Sequence, residues 1–330
     1  MRNIKQHTES PTVQAIYQSY VDARDPAHRL HLGGSQIGHH CDRFLFYQFR
    51  WSDHEEFPGR ILRLFDSGNH QEPRLVKDLR ATGASVYDID PETERQFTFT
   101  AFGGHFQISI DGCIQGIDES SAWHVLEIKT ANDRSFKSTK KHGAEKDKPQ
   151  HYVQMQVGMH MSGMKRALYL IVNKNDDEIY AERVRYDKKL AEKYMDRAER
   201  VVFSESPLER VSNRPDWYEC KFCDMWNVCH GQKVAEVNCR TCVHSTAERD
   251  GTWSCAKYGK TLSEKDQREG CDRHLMRPDL VPYTQATDAG DDWIEYDSGS
   301  FYNHCDGSTA GRNCYTSHEM RADERLPNNA

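Results

Sequence analysis

Apolar side chains fall at helical intervals near the start of the chain, where Val13, Ile16, Tyr17 and Tyr20 share a face and Pro11 suits an opening turn. This pattern predicts a packing helix over residues 11–24. Ser35 is placed to cap a second helix running to Phe49, along which Cys41, Phe44, Leu45 and Gln48 recur at three- and four-residue steps. A third helical pattern, Arg60 to Arg80, carries Ile61, Leu64, Phe65, Leu75, Val76 and Leu79. Gly68 and Pro73 interrupt it, which predicts a bend beside His70 and Glu72.

From Glu94 the period shortens to two. QFTFTAF alternates, Gly103-Gly104 marks a turn, FQISIDG alternates again, and WHVLEIKT follows, so an antiparallel meander is expected through Thr130. Beyond it come a lysine-rich loop to Pro149, an amphipathic helix to Met161, and the strands RALYLIVNK and EIYAERVRY around Asn175-Asp176-Asp177. A charged helix from Lys188 to Phe203 closes the series. Two cysteine groups and a Gly/Asp/Ser-rich tail from Thr284 complete the chain, without internal repeats. The alternation of helices and strands predicts a mixed α/β fold.

Composition narrows the picture. The chain has 330 residues, enough for one large domain with a small appendage, and a formal charge of -7 that argues against nonspecific coating of DNA. No run of 18 apolar residues exists and the polar start MRNIKQHTES has no signal-like apolar stretch. The expectation is a soluble cytoplasmic protein without membrane contact, with reduced cysteines. Eight of the eleven cysteines fall into two groups with metal-like spacing, leaving Cys113, Cys305 and Cys314 outside them.

The chemistry concentrates around Glu127-Ile128-Lys129. On a strand, residues 127 and 129 point to one face while Leu126 and Ile128 point to the other, so a carboxylate and an ammonium share one rim of an otherwise apolar element. An exposed cross-strand ion pair is the plain explanation. Asp111, at the end of the alternating FQISI run, offers another. Two carboxylates at the same end of neighbouring strands can hold one Mg or Mn ion, which binds hard oxygen donors and completes its shell with water and phosphate oxygens. Lys129 would then orient the attacking water or stabilise developing charge. The segment Arg134 to Lys148, with Lys137, Lys140 and Lys141, is either a solvated surface or a phosphate-binding patch beside that site.

Asp111 followed by Glu127 and Lys129 resembles the PD-(D/E)XK nuclease superfamily. That resemblance implies a restriction-endonuclease-like mixed sheet flanked by helices, a divalent metal, and phosphodiester hydrolysis. Gly68-Asn-His-Gln-Glu72 is similar to the family's helical first motif, which makes Glu72, with His70 as a neighbouring contender, a metal ligand. HYVQMQVGMHMSG resembles the helix that follows in the RecB branch, implying a substrate contact from Gln154. Gly158 stands where that branch has Tyr, and Tyr152 is the candidate substitute.

Cys220-x2-Cys223-x5-Cys229 is a three-ligand set, with Cys41 available as a fourth. Alone it reads equally as a zinc knuckle or buried thiols. With SQIGHHCDRFLFY upstream, it resembles the iron-sulfur members of the RecB group, AddB and the CRISPR-associated adaptation exonucleases among them, and so implies a 4Fe-4S cluster. Cys239-x2-Cys242-x12-Cys255-x15-Cys271 has the look of a zinc site, with His244 and His274 as spare ligands. Arg240, Lys257, Lys260 and Arg273 would allow that module to contact DNA.

Taken together, these resemblances imply a helical segment over 1–59, a nuclease core over 60–205, an iron-sulfur segment over 206–233, a zinc-ribbon-like module over 234–283 and an irregular tail over 284–330. The implied activity is metal-dependent DNA exonuclease action in recombination, repair or phage DNA processing, with a recombinase or single-strand annealing protein as the implied partner. The rival is a noncatalytic iron-sulfur DNA-binding or assembly subunit that keeps the nuclease fold.

Overall fold

The stretch from Ala167 to Val172 carries no charge, is buried throughout, and lies inside a five-stranded mixed sheet, as an uninterrupted run requires. The computed structural model describes residues 10–25, 28–54, 56–309 and 311–322, so the polar start and the end of the tail lie outside the described residues. The architecture is mixed α/β in two units. The first comprises Met1–His28, Glu55–Thr98 and Ser109–Asp187; the second comprises Arg29–His54, Phe99–Ile108 and Lys188–Ala330.

The first unit is built on strands β1 (Ser85–Tyr87), β2 (Gly112–Gln115), β3 (His124–Ala131), β4 (Arg166–Asn173) and β5 (Ile179–Arg185), which lie in the sheet in that order. Only β3 and β4 run parallel, and their connection carries the helices Asp133–His142, Ala144–Asp147 and Pro149–Ser162. One sheet face packs Ile114, Leu126, Ile128, Leu168 and Leu170 against Leu75 and Val76 of the helix Gly59–Ala81. That helix is continuous, contrary to the expected break at Gly68 and Pro73. Asn69, whose carbonyl Pro73 displaces, faces solvent, where water can take the lost bond. The first helix spans Pro11–Asp22 and buries no residue fully; Tyr17 and Tyr20 are half-buried while Val13 and Ile16 stay exposed.

The expected meander divides between two sheets. Phe106–Ser109 belongs to a three-stranded sheet with Leu32–Gly33, whereas the chain resumes at Gly112 in the five-stranded sheet. Gly112 has φ 153°, and a Cβ there would stand 2.6 Å from the Tyr87 carbonyl oxygen. Gly112→Ala is therefore expected to lower stability by about 2–3 kcal/mol through strain and clash. A urea melt showing less than half that loss would mean β1 yields easily.

In the second unit the helix begins at Asp42, not at Ser35, and Cys41 is its N-cap residue. Residues 35–39 form turns instead, with Gln36 and His39 amides bonded to the Gly33 and Gln36 carbonyls. The charged helix Lys188–Phe203 follows expectation. Ser245–Ala247, Trp253–Cys255 and Lys260–Thr261 form a small antiparallel sheet. The stretch from 284, expected to be irregular, contains a four-stranded sheet from Ala286 to Tyr315 and the helix Ser317–Ala322. Cys305 and Cys314 form a disulfide there, against the expectation of reduced thiols. Cys314 opens the strand that pairs with Phe301–Asn303 and Cys305 lies two residues beyond that partner, which brings their Cα atoms to 5.8 Å, within bridging range. Among the described residues, no helix is long and apolar enough to cross a membrane.

Candidate active site

Three of the expected side chains meet at one end of the five-stranded sheet. Glu127 and Lys129 leave β3 on the face opposite Leu126 and Ile128. Asp111, just before β2, accepts the Ile128 amide through Oδ2 at 2.7 Å, which fixes its carboxylate across β3. Lys129 Nζ lies 3.8 Å from the same Oδ2 and forms an ion pair with Glu127 Oε1. Gln154, on the helix Pro149–Ser162, donates from Nε2 to Glu127 Oε2 at 3.1 Å. Glu72 is half-buried on the helix Gly59–Ala81, close enough for Asp111 and Lys129 to bias its proton affinity.

The electrostatics are those of acids crowded away from water. Burial pushes the Glu127 carboxyl up to about 8, with Lys129 opposing the shift and Asp111 adding to it. Burial works against the Lys129 ammonium, but the Glu127 and Asp111 carboxylates outweigh it and hold the proton above the usual lysine range. Burial and Asp111 also raise Glu72. Glu127 is only 1% exposed, and its two carboxylate oxygens face the Lys129 ammonium and the Gln154 amide. A buried carboxylate beside two further acids is the kind of hard oxygen set a divalent cation accepts, and Asp111, Glu127 and Glu72 are the residues that could hold one.

Other candidates lie elsewhere. His70 is exposed and turned to Asp66, 3.4 Å away one helical turn back, so it does not join the carboxylates. Tyr152 is surrounded by Glu145, Asp187 and Glu182 and its hydroxyl interacts with Gln156, an acidic setting ill suited to phosphate. The expected lysine loop is helical, because Asn132 caps it by accepting the Ser135 amide and Phe136 and Thr139 are buried. Lys137 pairs with Asp133 and Lys140 with Glu178, leaving Lys141 exposed beside them.

A pair absent from the sequence expectations also borders the site. His151 Nδ1 and the Tyr169 hydroxyl are 2.6 Å apart. Burial, then Lys129 and Lys148, lower His151 to about 4, while burial and Glu127 raise Tyr169. The available signal was helical spacing: His151 precedes Gln154 by three residues and so shares its face.

Both cysteine groups lie within the second unit. Cys41, Cys220, Cys223 and Cys229 line one cavity of about 330 Å³, its open mouth included, beside Tyr47 and Trp226. Burial, with Cys41 and Cys229 as neighbours, pushes Cys223 up to about 12. In the other group, burial and the nearby Cys242, Cys271 and Cys255 push Cys239 up to about 12. His274 is bonded to the Asn238 carbonyl at 2.9 Å and close to the Thr241 hydroxyl, away from any ligand role. Arg240 is 1% exposed and cannot reach DNA; Lys257 and Lys260 are paired with Asp292 and Asp266, while Arg273 is exposed.

No family model and no curated protein matches the chain. Among solved structures it is similar to the alkaline exonuclease LHK-Exo of Laribacter hongkongensis, at 19% identity and a TM-score of 0.37 over 56% of this chain and 90% of that one. The same enzyme in complex with dAMP aligns at 18% identity and 0.38, over 52% and 85% respectively. SSO0001 aligns at 13% identity and 0.40, over 68% of this chain and 98% of that one.

Proposed function

We propose that this protein is a divalent-metal-dependent DNA exonuclease of the RecB type. The observation that carries the proposal is the meeting of Asp111 and the buried Glu127 on the Lys129 ammonium. Asp111, Glu127 and Glu72 would hold a Mg or Mn ion, whose chemistry would be to activate water and neutralise phosphate charge. Lys129 positions the nucleophile and balances charge on the phosphorane, Asp111 keeps its orientation through the Ile128 amide, and Gln154 fixes Glu127. End processing of this kind supplies single strands to a recombinase or single-strand annealing protein.

The proposal assigns Cys41, Cys220, Cys223 and Cys229 to a 4Fe-4S cluster, since four thiols lining one cavity are a soft donor set of the required number. It assigns Cys239, Cys242, Cys255 and Cys271 to zinc, a structural site close to the small antiparallel sheet.

The test compares linear and circular duplexes in Mg or Mn, using anaerobically purified protein and the Asp111→Ala and Lys129→Ala variants. Linear DNA should be degraded and circular DNA spared, with each variant slowed at least about hundredfold. Equal cleavage by the variants would place the activity elsewhere. No cleavage by the wild type would leave the noncatalytic DNA-binding role.

A further inference from the structure

His151 and Gln154 stand three residues apart on the helix Pro149–Ser162, so they share a face, and each holds a different strand of the sheet. Gln154 Nε2 donates to Glu127 Oε2 on β3, and His151 Nδ1 meets the Tyr169 hydroxyl on β4 at 2.6 Å. Glu127 and Tyr169 are register partners of the parallel pair β3 and β4, about 4.8 Å apart, so the imidazole is seated on the immediate neighbour of the Glu127 carboxylate. The charges that act on the ring are those of the Lys129 and Lys148 ammoniums. A half-buried ring close to two cations lies at positive potential, at the edge of the carboxylate site.

The tyrosine decides which ring nitrogen carries the proton. Tyr169 is fully buried, and among the described residues its hydroxyl has His151 as its one hydrogen-bond partner. A buried phenol has to place its proton on an acceptor, so the O–H donates to Nδ1. With Nδ1 accepting, the proton of the neutral imidazole sits on Nε2. Nε2 makes no hydrogen bond among the described residues and is not enclosed by them. The Nε2–H is therefore a donor of fixed direction that the fold itself does not use. It belongs to a ring whose neighbours on both sides, Gln154 and Tyr169, are in place at Glu127.

We infer that His151 is a phosphate-contacting residue of the carboxylate site, donating from Nε2 to a non-bridging oxygen of the DNA backbone, with Tyr169 as the positioning residue that fixes its tautomer. The inference takes the identity of the ligand, a nucleic-acid phosphate, from the nuclease proposal. An uncharged imidazole adds a hydrogen bond to phosphate without releasing a counterion, which sets its contribution apart from that of a lysine.

Two amide substitutions separate this role from a structural one. An asparagine amide stands where Nδ1 does, and a glutamine amide nitrogen reaches to where Nε2 does. His151→Asn therefore keeps a partner for Tyr169 and loses the phosphate donor, whereas His151→Gln does the reverse. Anisotropy titration of the full-length protein measures the contrast, with a fluorescein-labelled blunt duplex and a labelled oligothymidine as probes, in Ca so that binding is read apart from cleavage. For the DNA that the wild type binds more tightly, His151→Asn should weaken binding at least about fivefold without changing the slope of log affinity on log salt, and His151→Gln should stay within about twofold of the wild type. Tyr169→Phe, which frees the ring, should weaken binding by less than His151→Asn does. A histidine that only packs gives the opposite order, with His151→Gln the weaker binder and the lower-melting protein. That order, equal affinities in His151→Asn and the wild type, or no DNA binding by the wild type would overturn the inference. Cleavage in Mg is read separately: a wild type that shows the expected binding contrast and cuts nothing would sink the nuclease proposal and leave the phosphate contact in place.

Discussion

Glu127→Gln is expected to reduce Mg-dependent DNA cleavage by about three orders of magnitude and, in EDTA at pH 8.5, to raise the melting temperature by several degrees. The second effect follows from the proton held by the wild-type side chain. An unfolded glutamate ionises near its ordinary value of 4.5, while the folded protein holds the Glu127 proton up to about 8. Between those values the folded state binds more protons than the unfolded state, so this group's contribution to stability is full below 4.5 and declines as pH rises towards 8. Glutamine has the same shape and no proton to lose. Against this stands the ion pair: without Glu127 the Lys129 ammonium keeps Asp111 at 3.8 Å, the Ile128 carbonyl at 3.2 Å and the charge of Glu72. The lysine side chain is 27% exposed, so solvent moderates that loss. The balance leaves a gain on the order of 1–2 kcal/mol at alkaline pH, each about 2–4 °C in melting temperature.

The pH and metal dependences make the expectation specific. Near pH 5 both side chains are neutral in the fold and the variants should melt together; the gap should open as pH rises. Adding Mg should stabilise the wild type by mass action and leave Glu127→Gln nearly unmoved, reversing their order. Scanning fluorimetry at pH 5.5, 7 and 8.5, with EDTA or Mg, measures each step. A variant that melts below the wild type in EDTA at pH 8.5, or a gap independent of pH, would show that Glu127 is not held as a strained acid.

The same residues indicate which features a sequence exposes. Asp111, Glu127 and Lys129 were legible because a charge at the end of an alternating run, or inside one, is anomalous at the scale of a few residues. Their meeting also needed a change of sheet between Ile110 and Gly112, which alternation cannot reveal: period-two patterning assigns faces but not partners. The helix Asp133–His142 was obscured by its lysines, although Asn132 and the buried Phe136 and Thr139 mark a cap and an inward face. His70 and Glu72 are two residues apart on a helix, hence on different faces, and only Glu72 is turned towards the carboxylates. The disulfide between Cys305 and Cys314 depends on strand pairing that the Gly/Asp/Ser-rich composition of the tail gives no sign of.

Arg240 is the clearest case of a charge whose role is the opposite of its appearance, and Arg240→Lys is expected to destabilise the second unit by about 3–5 kcal/mol. Its Nε donates to Gln267 Oε1 at 3.0 Å, Nη1 to the Phe49 carbonyl at 3.0 Å and Nη2 to the Leu30 carbonyl at 2.9 Å. The guanidinium lies 3.7 Å from the centroid of the Trp51 ring and 4.7 Å from that of Trp253. A planar, weakly hydrated cation can stack on an indole while its edge reaches three oxygens in different directions; an ammonium is more strongly hydrated and cannot present that fork. Lysine would therefore leave buried oxygens unpaired and bring a charge into a site that already lowers the arginine's proton affinity by burial. Because two tryptophans flank the guanidinium, their fluorescence during urea unfolding reports directly on this packing. A midpoint shift equivalent to less than about 1 kcal/mol, a tenth or more of the stability of an ordinary domain, would mean that the lysine finds equivalent partners. The planar fork would then not be what holds Phe49, Leu30 and Gln267 together.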